Sequence, residues 1–124
     1  MILITNNDLF KNNIKRDDIE LKYVDTDYVG VLKKARDMIH ANYKMLTHPL
    51  YGSIKPNETV YRSVLLEEGN SLDSDSVILI EDAIATATKF LRNSQPKPWP
   101  EDILDDFRVI DFDILSHTFD QIEK

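Results

Sequence analysis

The stretch Ile19-Glu20-Leu21-Lys22-Tyr23-Val24-Asp25-Thr26-Asp27-Tyr28-Val29-Gly30-Val31-Leu32 changes its hydrophobic period half-way. Ile19, Leu21 and Tyr23 alternate with Glu20 and Lys22, the period of two of a half-buried strand. From Tyr28 onward the apolar positions are Tyr28, Leu32, Ala35 and Ile39, with Val31 and Met38 alongside. That spacing predicts an amphipathic helix near 27–43, with Asp25 or Thr26 placed to cap it. Gly30 costs this helix about 1 kcal/mol against Ala and suits a close approach. A strand running into a capped helix is the start of a βαβ unit.

The flanks repeat the arrangement. Residues 2–5 are apolar or β-branched and read as a short buried strand. Asn6 and Asn7 follow with turn and capping chemistry for a short helix near 8–13. A third strand is expected over 61–67. Asp73 or Ser74 caps a helix near 75–93, whose Val77, Ile80, Ile84, Ala87 and Leu91 share a face. Pro96, Pro98 and Pro100 form a stiff link around Trp99, which reads as a core or interface plug. Beyond it, Ile103, Phe107, Ile110, Ile114 and Ile122 fit a helical stripe, whereas Phe107-Arg108-Val109-Ile110 fits a short strand. The reading is helix, short strand, helix. The whole order predicts one α/β domain over 1–124. It is three-layer-like, with a short, mainly parallel sheet of order 2-1-3, room for a fourth strand, and flanking helices.

Composition bounds the function. The chain has 124 residues, 42% hydrophobic and 30% charged, the usage of a soluble globular domain. No apolar run approaches the roughly 20 residues that span a bilayer, and the N-terminus lacks the basic start of a signal peptide, so a cytoplasmic protein without membrane contact is expected. There is no Cys, which removes disulfides, thiolate metal sites and thiol nucleophiles. The net charge of −7 is uneven: residues 1–62 carry ten basic and eight acidic side chains, residues 63–124 five and fourteen. An acidic total disfavours nucleic acid, which is bound through basic surface. Within 31–62 six basic side chains face two acidic ones, a local excess suited to a small anion or an acidic partner.

The candidate site lies in the long connection after the first long helix. Thr47, His48, Ser53, Lys55, Asn57, Glu58 and Thr59 fall within thirteen residues, braced by Pro49 and Pro56. Fixed φ at the prolines lowers the cost of ordering such a loop around a ligand. The competing reading is that these groups satisfy the loop's own backbone. A second group, Arg36 and His40, sits one turn apart on the helix leading into the loop, able to hold a carboxylate or phosphate with Lys55. Asn6 and Asn7 are expected at the carboxyl ends of the strands, where open α/β sheets bind ligands. A parallel topology sends the 44–59 loop from the opposite edge, so a single site using both groups requires the loop to fold back along the sheet or a different strand direction. If neither holds, the protein has two polar surfaces. No metal and no cofactor is expected: His40, His48 and Glu58 lack a recognised ligand spacing, and there is no glycine-rich phosphate loop.

Thr5-Asn6-Asn7, Arg36-Asp37-Met38-Ile39-His40, Leu46-Thr47-His48-Pro49-Leu50, Gly52-Ser53-Ile54-Lys55-Pro56-Asn57-Glu58-Thr59 and Tyr61-Arg62-Ser63 together resemble the GrdX family. Those are small proteins encoded beside glycine, sarcosine and betaine reductase components in amino-acid-fermenting anaerobic bacteria. Val60 stands where that family's motif commonly has proline. The resemblance covers the chain's length, is most specific over 36–63, and brings no assigned catalytic residue with it. It implies an accessory or regulatory protein that binds a reductase component or a small carboxylate or phosphate through the 44–59 loop. Two other readings stand beside it. One is a small enzyme acting on an acyl or phosphoryl intermediate, with His48 or Glu58 moving a proton. The other is a homodimeric structural module in which the acidic half meets the basic segment of its twin.

Overall fold

The computed structural model describes residues 1–51, 59–94 and 97–122. Four strands, β1 (Ile2–Thr5), β2 (Glu20–Tyr23), β3 (Tyr43–Met45) and β4 (Ser63–Glu68), form one sheet of order β2-β1-β4-β3. Three helices accompany them: α1 (Tyr28–His40), α2 (Ser74–Asn93) and α3 (Glu101–Gln121). A single 3₁₀ turn over Asp8–Phe10 is capped by the Asn7 side chain.

The sheet is mixed, which corrects the expectation of a mainly parallel sheet of order 2-1-3. β1 and β2 are parallel, but β4 runs antiparallel to both β1 and β3. The cause is a strand too short to announce itself. α1 stops at His40 rather than continuing to residue 43, because Asn42 takes φ of 75°. Asn tolerates this left-handed conformation and so ends helices. The chain reverses there and Tyr43–Met45 pairs along Glu68–Leu66. The turn is sealed by Gly69, where a Cβ would stand 2.7 Å from the Asn42 carbonyl oxygen. Lys44, at the start of the expected connection, is therefore in β3. With β3 already at the edge, the next strand returns between it and β1 in the opposite sense.

The candidate fourth strand at 107–110 is also corrected. Those residues lie inside α3, one continuous helix of 21 residues. Its buried row is Asp111, Leu115 and Phe119, while Val109 and Ile110 are exposed. The expected stripe through Ile110 and Ile114 is displaced by one residue.

The layers form as strand alternation dictates. Ile2 and Ile4 of β1 and Val64 and Leu66 of β4 point to one face, where they meet Tyr28, Val31, Leu32, Ala35 and Ile39 of α1 and Ile80, Ala83, Ile84 and Ala87 of α2. Leu3 and Leu65 point to the other, onto Phe10, Leu115 and Phe119. All four residues of β1 are buried, as a strand covered on both faces requires. Asp27 caps α1 through the Gly30 amide and Asp73 caps α2 through the Ser76 amide. A Cβ at Gly30 would run into the Thr26 side chain at 2.0 Å, the close approach its position suggested. No helix among the described residues is long and apolar enough to cross a membrane.

Candidate functional site

β3 runs in the same direction as β1, so the segment that follows it heads toward the carboxyl end of β1. This is the different strand direction that a single site using both polar groups requires. Leu46 donates to the Leu65 carbonyl (2.8 Å), and the Thr47 hydroxyl then accepts from the Leu65 amide (3.1 Å). The segment thus runs past Leu65 toward Thr5, Asn6 and Asn7, where Tyr51 meets Asp111 and Arg62, and the chain re-enters β4 through Thr59–Arg62.

At this end the fold closes over a buried polar frame. Period two puts Thr5 of β1 and Ser63 of β4, which are register partners, on the α3 side; their hydroxyls are 2.7 Å apart. Ser63 donates to Asp111 Oδ2 (2.7 Å), and Asn7 Nδ2 donates to the same oxygen (3.1 Å) and to the Arg108 carbonyl (2.9 Å). The Tyr51 hydroxyl donates to Asp111 Oδ1. A carboxylate only 6% exposed thus has partners for both oxygens, the condition on which a buried charge is tolerated. Burial, followed by the charge of Asp111, pushes the Tyr51 phenol well above its ordinary value near 10.

Arg62 is the second buried charge, 4% exposed. Its guanidinium carbon lies 4.2 Å from the ring centre of Tyr51 and 4.8 Å from that of Tyr28. Nη1 donates to the carbonyls of Tyr51 (2.9 Å) and Pro49 (3.5 Å). Arginine suits this role because its weakly hydrated plane stacks on aromatic rings. Nε is buried without a hydrogen bond among the described residues. Arg62 also lines a small void of about 20 Å³, with Tyr51, Thr59, Asp111, Phe107 and Ile114, room for about one water.

The sequence-predicted residues divide accordingly. Asn6 bonds the carbonyls of Thr26 (2.9 Å) and Val60 (2.7 Å) and accepts from the Arg62 amide (2.9 Å). Asn7 belongs to the frame, and Thr59 accepts from the Tyr61 amide (3.2 Å). Thr47 completes the β4 ladder. His48 is exposed, its Nδ1 accepting from the Leu50 amide (3.0 Å). Arg36 sits in the α1/α2 layer, 3.6 Å from Glu81, and His40 is exposed at the end of α1. Ser53, Lys55, Asn57 and Glu58 lie outside the described residues. The structure therefore brings Asn6, Asn7 and Thr59 to one end of the sheet, and Arg36 to the other side of the molecule's core. Sequence reading missed the central pair, Arg62 and Asp111. Asp111 carried one signal: it occupies the row Asp111, Leu115, Phe119, an acid on what is otherwise an apolar helix face.

A family model described as GrdX-like protein matches residues 2–120. The chain belongs to the GrdX family. Curated proteins and solved structures gave no match. Within the matched span of this GrdX family member, the residues that carry the resemblance include both sides of the frame: Thr5-Asn6-Asn7 on β1 and Tyr61-Arg62-Ser63 leading into β4. In the GrdX-like sequence those two motifs are joined by hydrogen bonds, Asn6 to Arg62 and Thr5 to Ser63.

Proposed function

We propose that this chain is a non-catalytic, cytoplasmic accessory or regulatory protein of a glycine, sarcosine or betaine reductase system. In this reading it meets a component of that system, or a small anionic metabolite, through the 44–59 segment. Family membership supports the first half. The observation that supports the second is the anchoring of that segment. Thr47, Tyr51 and Thr59 are held by backbone and frame contacts at the carboxyl end of the sheet, while His48 stays exposed. A segment fixed at both ends costs less to order around a partner. Asn6, Asn7, Thr47 and Thr59 act in this reading as the scaffold, and His48, Ser53, Lys55, Asn57 and Glu58 supply the contacts.

The test is a pull-down with tagged full-length protein from an extract containing the reductase components, alongside a thermal-shift panel of small carboxylates and phosphates. Retention of a reductase component, weakened by the His48→Ala, Lys55→Ala pair, is the expected result. A well-folded sample that retains no component and shows no shift removes the reading.

A further inference from the structure

A second polar surface opens at the same end of the sheet, beyond the parallel pair β1–β2. Asp8, Tyr23, Asp25, Tyr61 and Arg108 line a cleft of about 270 Å³ floored by Asn6. It lies outside the carboxyl ends of two adjacent parallel strands, the position where open α/β sheets receive ligands. Neither the buried frame nor the 44–59 segment uses its charged groups.

The charges in this cleft are of both signs. Arg108 stands 3.5 Å from Asp8 through Nε, a buried nitrogen without a hydrogen bond among the described residues. It is held from outside by Glu101 at 2.7 Å and by Asp105, and its guanidinium carbon is 5.1 Å from the Tyr61 ring centre. Lys11 lies 3.9 Å over the Tyr23 ring. The Tyr23 phenol is raised by burial and then by Asp25 and Asp8, with Arg108 opposing, so both carboxylates and the guanidinium act on one ring. Asp25 is exposed and makes no ion pair among the described residues. A pure anion at this cleft meets two carboxylates, and a pure cation meets Arg108. A molecule carrying both charges a few ångströms apart meets a complement for each.

The geometry points to this cleft as a binding site for a small zwitterion of the amino-acid class, its carboxylate toward Arg108 and its ammonium toward Asp25 and Asp8. This inference does not rest on the reading of the 44–59 segment: a failed pull-down leaves it standing, and its own failure leaves that reading untouched.

The experiment is a titration of the ¹⁵N-labelled full chain followed by amide shifts. The probes are glycine, the smallest molecule with both charges, and its two halves, acetate and methylamine. Glycine is expected to give saturable shifts at the amides of 8, 23–26, 60–61 and 108, with each half binding at least roughly tenfold more weakly. Arg108→Gln removes several ion pairs at once, so it is accompanied by Asp25→Asn at an exposed position. Each is expected to weaken glycine roughly tenfold with the spectrum otherwise retained. Acetate or methylamine binding as tightly as glycine, glycine binding unchanged in Asp25→Asn, or no saturable shift at all overturns the proposal.

Discussion

The two sides of the sheet are built on different principles. The α1/α2 side is closed by apolar side chains: Val31, Leu32, Ile39 and Ile80 are fully buried there, and Ser76 is a buried polar side chain among them, its hydroxyl accepting from the Met45 amide. The α3 side begins with the same kind of packing around Leu3, Phe10, Leu65 and Leu115. Toward the carboxyl end it gives way to Asn7, Ser63 and Asp111, and the buried Arg62 beside them reaches across to the Tyr28 ring of α1. The difference teaches that apolar packing sets the layers, while the buried polar frame fixes where the chain outside them goes. It decides how 44–51 and 59–62 are held, and hence what that end can present.

The comparison breaks first on packing. Leu32→Ala should lower the unfolding free energy by about 2–5 kcal/mol in urea denaturation, the cost of a large side chain removed from a close-packed core. A loss under about 1 kcal/mol would mean that the α1/α2 side is not held by packing. Next comes the frame. Asp111→Ala leaves Ser63 and Tyr51 without their carboxylate acceptor, takes one of two from Asn7, and should cost about 3 kcal/mol. Asp113→Ala, exposed two residues on, should stay within about 0.5 kcal/mol. Equal effects at the two positions would dissolve the distinction between frame and surface.

Tyr51→Phe removes one bond and should cost about 1–2 kcal/mol. It also sharpens the comparison through pH. The Tyr51 phenol is raised in the folded state, so its contribution is complete below about pH 10 and is lost as pH climbs from there toward the folded value. The wild-type midpoint in urea should therefore fall more steeply above pH 10 than that of Tyr51→Phe. Parallel slopes would place the phenol in solvent. The smallest effect belongs to Arg36→Ala, whose half-exposed contact with Glu81 should contribute at most about 1 kcal/mol.

What could be read from the residues follows the same division. Tyr28, Leu32, Ala35 and Ile39 on α1 and Ile80, Ile84 and Ala87 on α2 declare their faces by spacing, and all of them are buried. The three-residue strand Tyr43–Met45 is too short for a period to register, and missing it reversed the direction of β4. Val109-Ile110 suggested a strand through β-branching alone, yet both are exposed on a helix. The frame was hidden for another reason. Asn6 and Arg62 are 56 residues apart and Ser63 and Asp111 are 48 apart, and hydrogen bonds at such separations leave no periodic trace. Asp111 reads locally as one more surface acid, and only the sheet opposite it explains its burial.

The claim that the carboxyl end of the sheet is the interacting end is tested most directly by amide-shift mapping of the labelled chain with purified reductase components. The account predicts shifts concentrated at 46–51, 59–62 and their frame neighbours Asn7 and Asp111. Shifts confined to the outer surface of α2, around Ile78 and Phe90, or a spectrum that every component leaves unchanged, would contradict it.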